Sequence, residues 1–206
     1  MRDVTPELLL QAYANGVFPM ADSASSDAIY WIDPKKRGVF PLGSFHISRS
    51  LRHAIKRKEY DIRLNSDFAR TVANCANRSE TWINSKIFDL YNQLHHLGFA
   101  HSLEVWRDSQ MFGGVYGVTV GAAFFGESMF STETNGSKIA LAYLIHRLNA
   151  GGFKLFDTQF ITPHLASLGA VEIRRETYHK KLISAITATA DFNIVSTPTP
   201  YDLLNA

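Results

Sequence analysis

The sequence predicts an α+β fold, and two observations carry that prediction. From Leu103 to Ser131, apolar and small residues alternate with a period of two through three runs, broken at Asp108-Ser109 and at Gly121, as in an antiparallel meander. Around this meander, apolar residues recur at helical spacing in segments closed by glycine, and short strand-like runs such as Phe153 to Phe156 and Val171 to Ile173 fall between them. With 206 residues, 46% of them hydrophobic, the chain is long enough to bury a full core. No internal repeat, low-complexity tract or long linker divides it, so one α+β body behind a small N-terminal unit is expected.

In chain order, Thr5-Pro6-Glu7 supplies an N-cap, a proline in the first turn and an acid, which predicts a helix with Leu8, Leu9, Ala12 and Tyr13 as its apolar stripe and Gly16 past its end. Asp22 to Asp27 reads as a polar loop. Ile29 to Ile32 reads as a strand stopped by Asp33-Pro34, with Val39-Phe40 as its expected partner. These elements make a small N-terminal domain, residues 1–46, ahead of a larger domain, residues 47–206. Ser48 is placed to cap a basic helix with Leu51, Ala54 and Ile55 inward and Arg52, Lys56 and Arg57 outward.

A strand is expected over 60–64 and helices over 66–77 and 85–97, the second with Ile87, Leu90, Tyr91 and Leu94 on one side. After the meander, Ile139, Ala140, Tyr143, Leu144 and Leu148 follow helical spacing until Gly151-Gly152 stops them. A strand over 153–156, a short helix over 163–169, a short strand over 171–173 and a last helix over 176–189 complete the body. The proline-rich tail after Ser196 is expected to be extended.

Composition excludes several classes. No run approaches the roughly 18 apolar residues of a membrane span, and the stretch Met1 to Pro6 lacks a basic region followed by an apolar signal core, so a cytoplasmic protein is expected. Cys75, the one cysteine, cannot form a disulfide within the chain, and its spacing from Phe68 and Val72 places it in the core. The overall charge of +2 conceals an asymmetry. Eight of the 21 Lys and Arg lie between Lys35 and Lys58 with no acid among them, and the other 13 stand against 19 acids, a balance of −6. Such clustering suits a polyanion, since neutralised phosphates supply most non-specific nucleic-acid affinity, although a merely solvated helix face has the same composition.

Three familiar motifs fail on inspection. Gly126-Glu127-Ser128-Met129-Phe130 lacks the second glycine of a serine-hydrolase elbow. Gly136-Ser137-Lys138 lacks the glycine and lysine placement of a phosphate-binding loop. His95, His96 and His101 lack the carboxylate or cysteine that would complete a metal set, and no metal or other cofactor is expected. More promising are Asp157 and Gln159, two apart at a strand's end and therefore on one face, which together with Glu127 make a candidate for acyl transfer or, more blandly, a set of strand-end polar groups. Trp31 and Trp82 each flank a loop, where they can stack on bases or serve as core.

These residues, with Gly16-Val17-Phe18-Pro19, Phe45 to Ser50, Thr81-Trp82-Ile83, Ala100 to Trp106, Gly113 to Gly117, Gly126 to Ser131, Asp157-Thr158-Gln159 and His164 to Ala170, resemble one family over nearly the whole chain: the leucyl/phenylalanyl-tRNA–protein transferases. The resemblance implies an N-acetyltransferase-like domain with a central, mostly antiparallel sheet behind the small N-terminal domain. It also implies transfer of Leu or Phe, and also Met, from aminoacyl-tRNA to proteins beginning with Arg or Lys, which marks them for N-degron proteolysis. Asp157 and Gln159 match the family's catalytic pair and Glu127 its acidic active-site residue. Trp31 and Trp82 match the aromatics near the terminal adenosine, and Val115, Phe124, Leu141, Leu144 and Leu148 the pocket for the amino-acid side chain. Lys35, Lys36, Arg37, Arg49, Arg52, Lys56 and Arg57 are the expected tRNA contacts, in a protein expected to act as a monomer away from membranes.

Two other classes compete. A coenzyme-A-dependent N-acetyltransferase would need a pyrophosphate loop that Ser131 to Gly136 does not supply. A non-catalytic RNA-binding module would need only the basic run and would leave Glu127, Asp157 and Gln159 without a purpose.

Overall fold

The computed structural model describes residues 4–26, 28–193 and 197–205. Met1 to Asp3, Asp27 and Ser196, used above for the chain's start, the polar loop and the tail, lie outside the described residues. Helix α1 (Pro6–Ala14) opens as expected, with Thr5 Oγ1 accepting the Leu8 N–H at 3.3 Å. Strands β1 (Phe18–Met20) and β2 (Tyr30–Ile32) then pair antiparallel. The partner of the second is thus β1 rather than Val39-Phe40. Strand β3 (Lys36–Val39) leaves the N-terminal hairpin and enters the main sheet, where Arg37 finds its carboxylate.

The chain continues as α2 (Arg49–Arg57), β4 (Asp61–Leu64), α3 (Phe68–Ala76), α4 (Ser85–His96), β5 (Ala100–Arg107), β6 (Gln110–Val120), β7 (Ala123–Ser131), α5 (Gly136–Ala150), β8 (Leu155–Gln159), α6 (Pro163–Ser167), β9 (Val171–Arg174), α7 (Arg175–Ile186) and α8 (Pro200–Asn205). Helix α8 corrects the extended tail. Thr199 and Asp202 bond reciprocally across its first turn, the Thr199 N–H donating to Asp202 Oδ2 at 3.1 Å and the Asp202 N–H to Thr199 Oγ1 at 3.2 Å, and Leu203 is buried.

The main sheet among the described residues has seven strands in the order β4-β5-β6-β7-β8-β3-β9. The expected meander β5-β6-β7 is antiparallel, and α5 crosses over to make β7 and β8 the parallel pair. Neighbouring residues alternate between two cores. Tyr116, Phe125 and Leu155 pack with α1, α3, α4 and α7, whereas Val115, Phe124 and Phe156 pack with α2, α5 and α8. Helix α5 is buried on most sides, its buried residues extending beyond the predicted stripe to Leu141, Ala142, Ile145 and Arg147. Its first residue, Gly136, lies so close to β6 that a Cβ on Gly113 would stand 2.4 Å from the Gly136 carbonyl carbon, so neither position tolerates a side chain.

Candidate active site

The geometry starts from Asp157, which is fully buried on β8. Arg37, reaching across from β3, donates from Nε at 2.9 Å to Oδ1 and from Nη2 at 2.7 Å to Oδ2, and its Nη1 donates to the Gly16 carbonyl at 2.8 Å. Tyr178 on α7 donates its hydroxyl to Oδ2 at 2.7 Å. The guanidinium lies 4.6 Å from the Phe18 ring centre and 4.4 Å from that of Tyr178. Burial works against the Arg37 charge, but hydrogen bonding and attraction to Asp157 outweigh it and hold the guanidinium above its ordinary range. Arg37 is therefore a buried clamp, 1% exposed, and not a phosphate contact on the surface. An arginine in a strand facing the core must be paired, and the basic run in the sequence hid this partner.

Gln159, the last residue of β8, has φ +63°, a left-handed conformation that costs an ordinary side chain about 1–2 kcal/mol. Asp157 Oδ1 accepts its backbone N–H at 2.7 Å and so supports that turn of the chain. The side-chain Nε2 of Gln159 then donates to Glu127 Oε1 at 2.8 Å. On the carboxyl group's other side, the Tyr13 hydroxyl oxygen lies 2.7 Å from Oε1, the Tyr91 hydroxyl oxygen 2.6 Å from Oε2, and the two hydroxyl oxygens 2.7 Å from each other. Burial pushes Glu127 up to about 7, although its bonds to Tyr91, Tyr13 and Gln159 act in the opposite direction. The sequence places Tyr13 and Tyr91 only on the apolar faces of helices, and Tyr178 is not singled out. The available signal was that a buried tyrosine still requires a partner for its hydroxyl.

Glu127 and Gln159 form the polar end of a cavity of about 360 Å³. Its apolar lining includes Val115, Met129, Leu141, Phe156 and Leu165, and Trp82 and the exposed Arg78 also line it, the latter donating to Ser128 Oγ at 2.9 Å. The structure thus brings together six of the sequence-derived candidates: Asp157, Gln159, Glu127, Trp82, Val115 and Leu141. Phe124, Leu144 and Leu148 do not line the cavity; they sit in the core beneath it, Phe124 at 5.4 Å from the Phe156 ring centre. Residues at helical spacing on α5 are divided between wall and core by the helix's depth, which spacing does not reveal. Trp31 stands on β2, 39% exposed and outside the cavity lining.

Arg49, Arg52, Lys56 and Arg57 lie exposed on α2, and Lys35 and Lys36 are exposed at the start of β3. The absence of acids in that run does not leave every cation unpaired. Arg57 meets Glu59 at 2.5 Å, and Lys36 meets Glu172 at 2.9 Å across β3 and β9. Cys75 is buried as expected, and burial pushes its thiol up to about 12, far from reactivity at neutral pH.

Residues 39–183 match the family described as leucyl/phenylalanyl-tRNA protein transferase, and residues 2–35 match its N-terminal domain. The chain belongs to the leucyl/phenylalanyl-tRNA protein transferase family. It is accordingly an aminoacyltransferase. A leucyl/phenylalanyl-tRNA–protein transferase of Ruegeria sp. (strain TM1040) is 58% identical over 201 residues, 98% of this chain and 96% of the relative. Another, of Cereibacter sphaeroides (strain KD131 / KCTC 12085), is 62% identical over 189 residues, 92% of this chain and 88% of the relative. The crystal structure of FemX aligns with a TM-score of 0.55 at 12% identity, over 84% of this chain and 68% of FemX, and shows a shared fold. Both family matches contribute to the site: Tyr13 falls in the N-terminal one, and Glu127, Asp157 and Gln159 in the larger. Among the described residues no helix is long and apolar enough to cross a membrane.

Proposed function

We propose that this protein moves leucine or phenylalanine, and also methionine, from aminoacyl-tRNA to the α-amine of proteins whose first residue is Arg or Lys, marking them for N-degron proteolysis in the cytoplasm, and that it acts as a monomer. The observation that carries this reading is the cavity, whose apolar wall leads directly to the Gln159 amide and the Glu127 carboxyl group. An apolar side chain entering it would bring the ester carbonyl of a charged tRNA to those groups. We assign residues 1–46 to a small N-terminal domain that supplies Tyr13 and, with β3, Arg37, and residues 47–206 to the catalytic domain.

The ester is already activated, and the α-amine, with an ordinary pKa of about 7.7–8.0, has a useful neutral fraction at pH 7. In this reading the amine nitrogen attacks the carbonyl carbon, the C–N bond forms as the ester C–O bond breaks, and the amine's proton ends on the departing ribose hydroxyl. Gln159 is the catalytic residue that touches the amine. Because its Nε2 is engaged by Glu127, its oxygen is left to accept the amine N–H and aim the lone pair. Asp157 does not reach the substrate and acts as a positioning residue through the Gln159 backbone. Trp82 in the cavity lining offers a face to the terminal adenosine, with Trp31 farther along the path, and the exposed cations Arg49, Arg52, Lys56, Lys35 and Lys36 meet tRNA phosphates.

The test is a transfer assay with labelled leucyl- or phenylalanyl-tRNA and peptides beginning with Arg, Lys or Ala. Label should move to the first two only. Label on the Ala peptide, or on none, counts against the proposal.

A further inference from the structure

Four oxygens from α1, α4 and β7, the hydroxyls of Tyr13 and Tyr91 and the two carboxyl oxygens of Glu127, close into a ring with more short contacts than the two hydroxyl hydrogens can fill. Tyr13 O to Oε1 is 2.7 Å, Tyr91 O to Oε2 is 2.6 Å, and Tyr13 O to Tyr91 O is 2.7 Å. Oxygens this close require a hydrogen between them, so the three contacts need three hydrogens. Each tyrosine brings one, and an ionised carboxylate brings none. The third hydrogen must belong to Glu127 itself. Gln159 decides which oxygen bears it, because Nε2 already donates to Oε1 at 2.8 Å and favours that oxygen as an acceptor. One arrangement then satisfies all four contacts: Oε2–H donates to Tyr91, Tyr91 O–H to Tyr13, and Tyr13 O–H to Oε1.

We propose that Glu127 is a neutral carboxylic acid in the free protein at mildly acidic pH and stays largely so up to neutrality, that Tyr13 and Tyr91 are positioning residues which lock it in this one-way ring, and that the ring holds the Gln159 amide with its oxygen turned to the cavity. The last part rests on the transfer reading above; the first two stand without it. The nearest carboxylate and the burial act in the same direction. From β8, the carboxylate of Asp157 opposes a second negative charge, and it is itself occupied by Arg37 of β3 and Tyr178 of α7. Helix α1 contributes Tyr13 and α4 Tyr91, β6 contributes Tyr116 with an unbonded hydroxyl, α3 contributes Cys75 near Tyr116, and Arg78, just after α3, lines the same cavity and donates to Ser128. Burial pushes the Glu127 carboxyl up to about 7, in the same direction. A neutral acid has a chemical advantage here: a carboxylate beside the incoming amine would favour its protonated, unreactive form.

Infrared spectra of the full-length protein without tRNA provide the test. At pH 6, wild type minus Glu127→Gln should show the carbonyl band of a protonated carboxylic acid, lost as the pH is raised through 7 and above. Tyr91→Phe removes the acceptor of Oε2–H and should shift that band; wild type minus Tyr91→Phe also serves alone should Glu127→Gln not fold. Carboxylate bands at pH 6 in place of the acid band, or no carbonyl change in Tyr91→Phe, overturn the proposal. In the transfer assay Tyr13→Phe and Tyr91→Phe should each lower kcat about tenfold, one hydrogen bond's worth, with KM nearly unchanged. An altered KM at constant kcat would instead remove the link from ring to Gln159. An acid band in a protein that transfers nothing would sustain the ring and retire the transfer reading.

Discussion

Asp157 Oδ1 accepts the backbone N–H of Gln159 at 2.7 Å, and the residue so held carries φ +63°. The bond joins two layers of the site. Behind it lies the buried Arg37 clamp, and in front of it the Gln159 side chain spans from Glu127 to the cavity. Removing Asp157 therefore has two consequences. Asp157→Ala leaves the Arg37 guanidinium buried without a counter-charge and should cost roughly 3–5 kcal/mol of stability, measurable by denaturant unfolding. Turnover should also fall sharply, while binding of charged tRNA by the folded fraction stays near the wild-type value; unchanged turnover would remove Asp157 from the positioning role.

Gln159→Gly separates strain from chemistry. Glycine adopts the left-handed conformation without penalty, which offsets the lost bond to Glu127, so stability should change by less than about 1 kcal/mol. Transfer should nevertheless collapse, since the amide oxygen is gone. Retained kcat in a well-folded Gln159→Gly protein would place the amine's partner elsewhere.

Glu127 should give the protein a specific pH dependence. Its carboxyl group titrates near 7 in the folded chain against an ordinary value of 4.5, so the folded form binds that proton more tightly. The resulting stabilisation is complete below about pH 4.5 and is lost as the pH rises through 7, an effect of about 3 kcal/mol from this group. Glu127→Gln cannot titrate and should lack this component. The comparison to make is the difference in unfolding free energy between wild type and variant across that range; a constant difference would contradict the raised value.

The wall and the core beneath the cavity should respond differently to substitution. Leu141→Phe narrows the cavity and should lower kcat/KM for phenylalanyl-tRNA more than for leucyl-tRNA, by an amount equivalent to about 1–3 kcal/mol. Leu148→Ala, in the core, should instead cost about 2–5 kcal/mol of stability and leave the ratio of the two kcat/KM values nearly constant. A ratio that moves with Leu148 and not with Leu141 would exchange their roles.

On α2, reversing Arg52 and Lys56 to glutamate should weaken tRNA binding and reduce the slope of log affinity against log salt by roughly one to two units. Arg57, already paired with Glu59, should contribute less when reversed alone. An unaltered slope would assign the tRNA to another surface.

Much of this molecule is local and could be read from the chain. The caps at Thr5 and Ser48, the meander turns at Asp108 and Gly121, and the period-two alternation through β5, β6 and β7 are decided by residues within a few positions of one another, and each is present as expected. Asp157 and Gln159, two apart at a strand's end, stand out in the same way, whereas the role of Glu127, 30 residues earlier, comes from the family resemblance. What required the tertiary structure is which groups become neighbours across long stretches of chain. Arg37 looks like one more cation in a basic run because its partner lies 120 residues away, and Tyr13 and Tyr91 look like helix stripe residues because their hydroxyls meet only when α1 and α4 pack over β7. Depth is decided at that level too: Leu141 and Leu148 share a helix and a residue type, yet one faces the cavity and the other the core. The physical reason is the same in each case. Capping bonds and backbone preference act between sequence neighbours, whereas long-range pairing and burial, which turn a cation into a clamp and a carboxylate into an acid, exist only after the layers have closed.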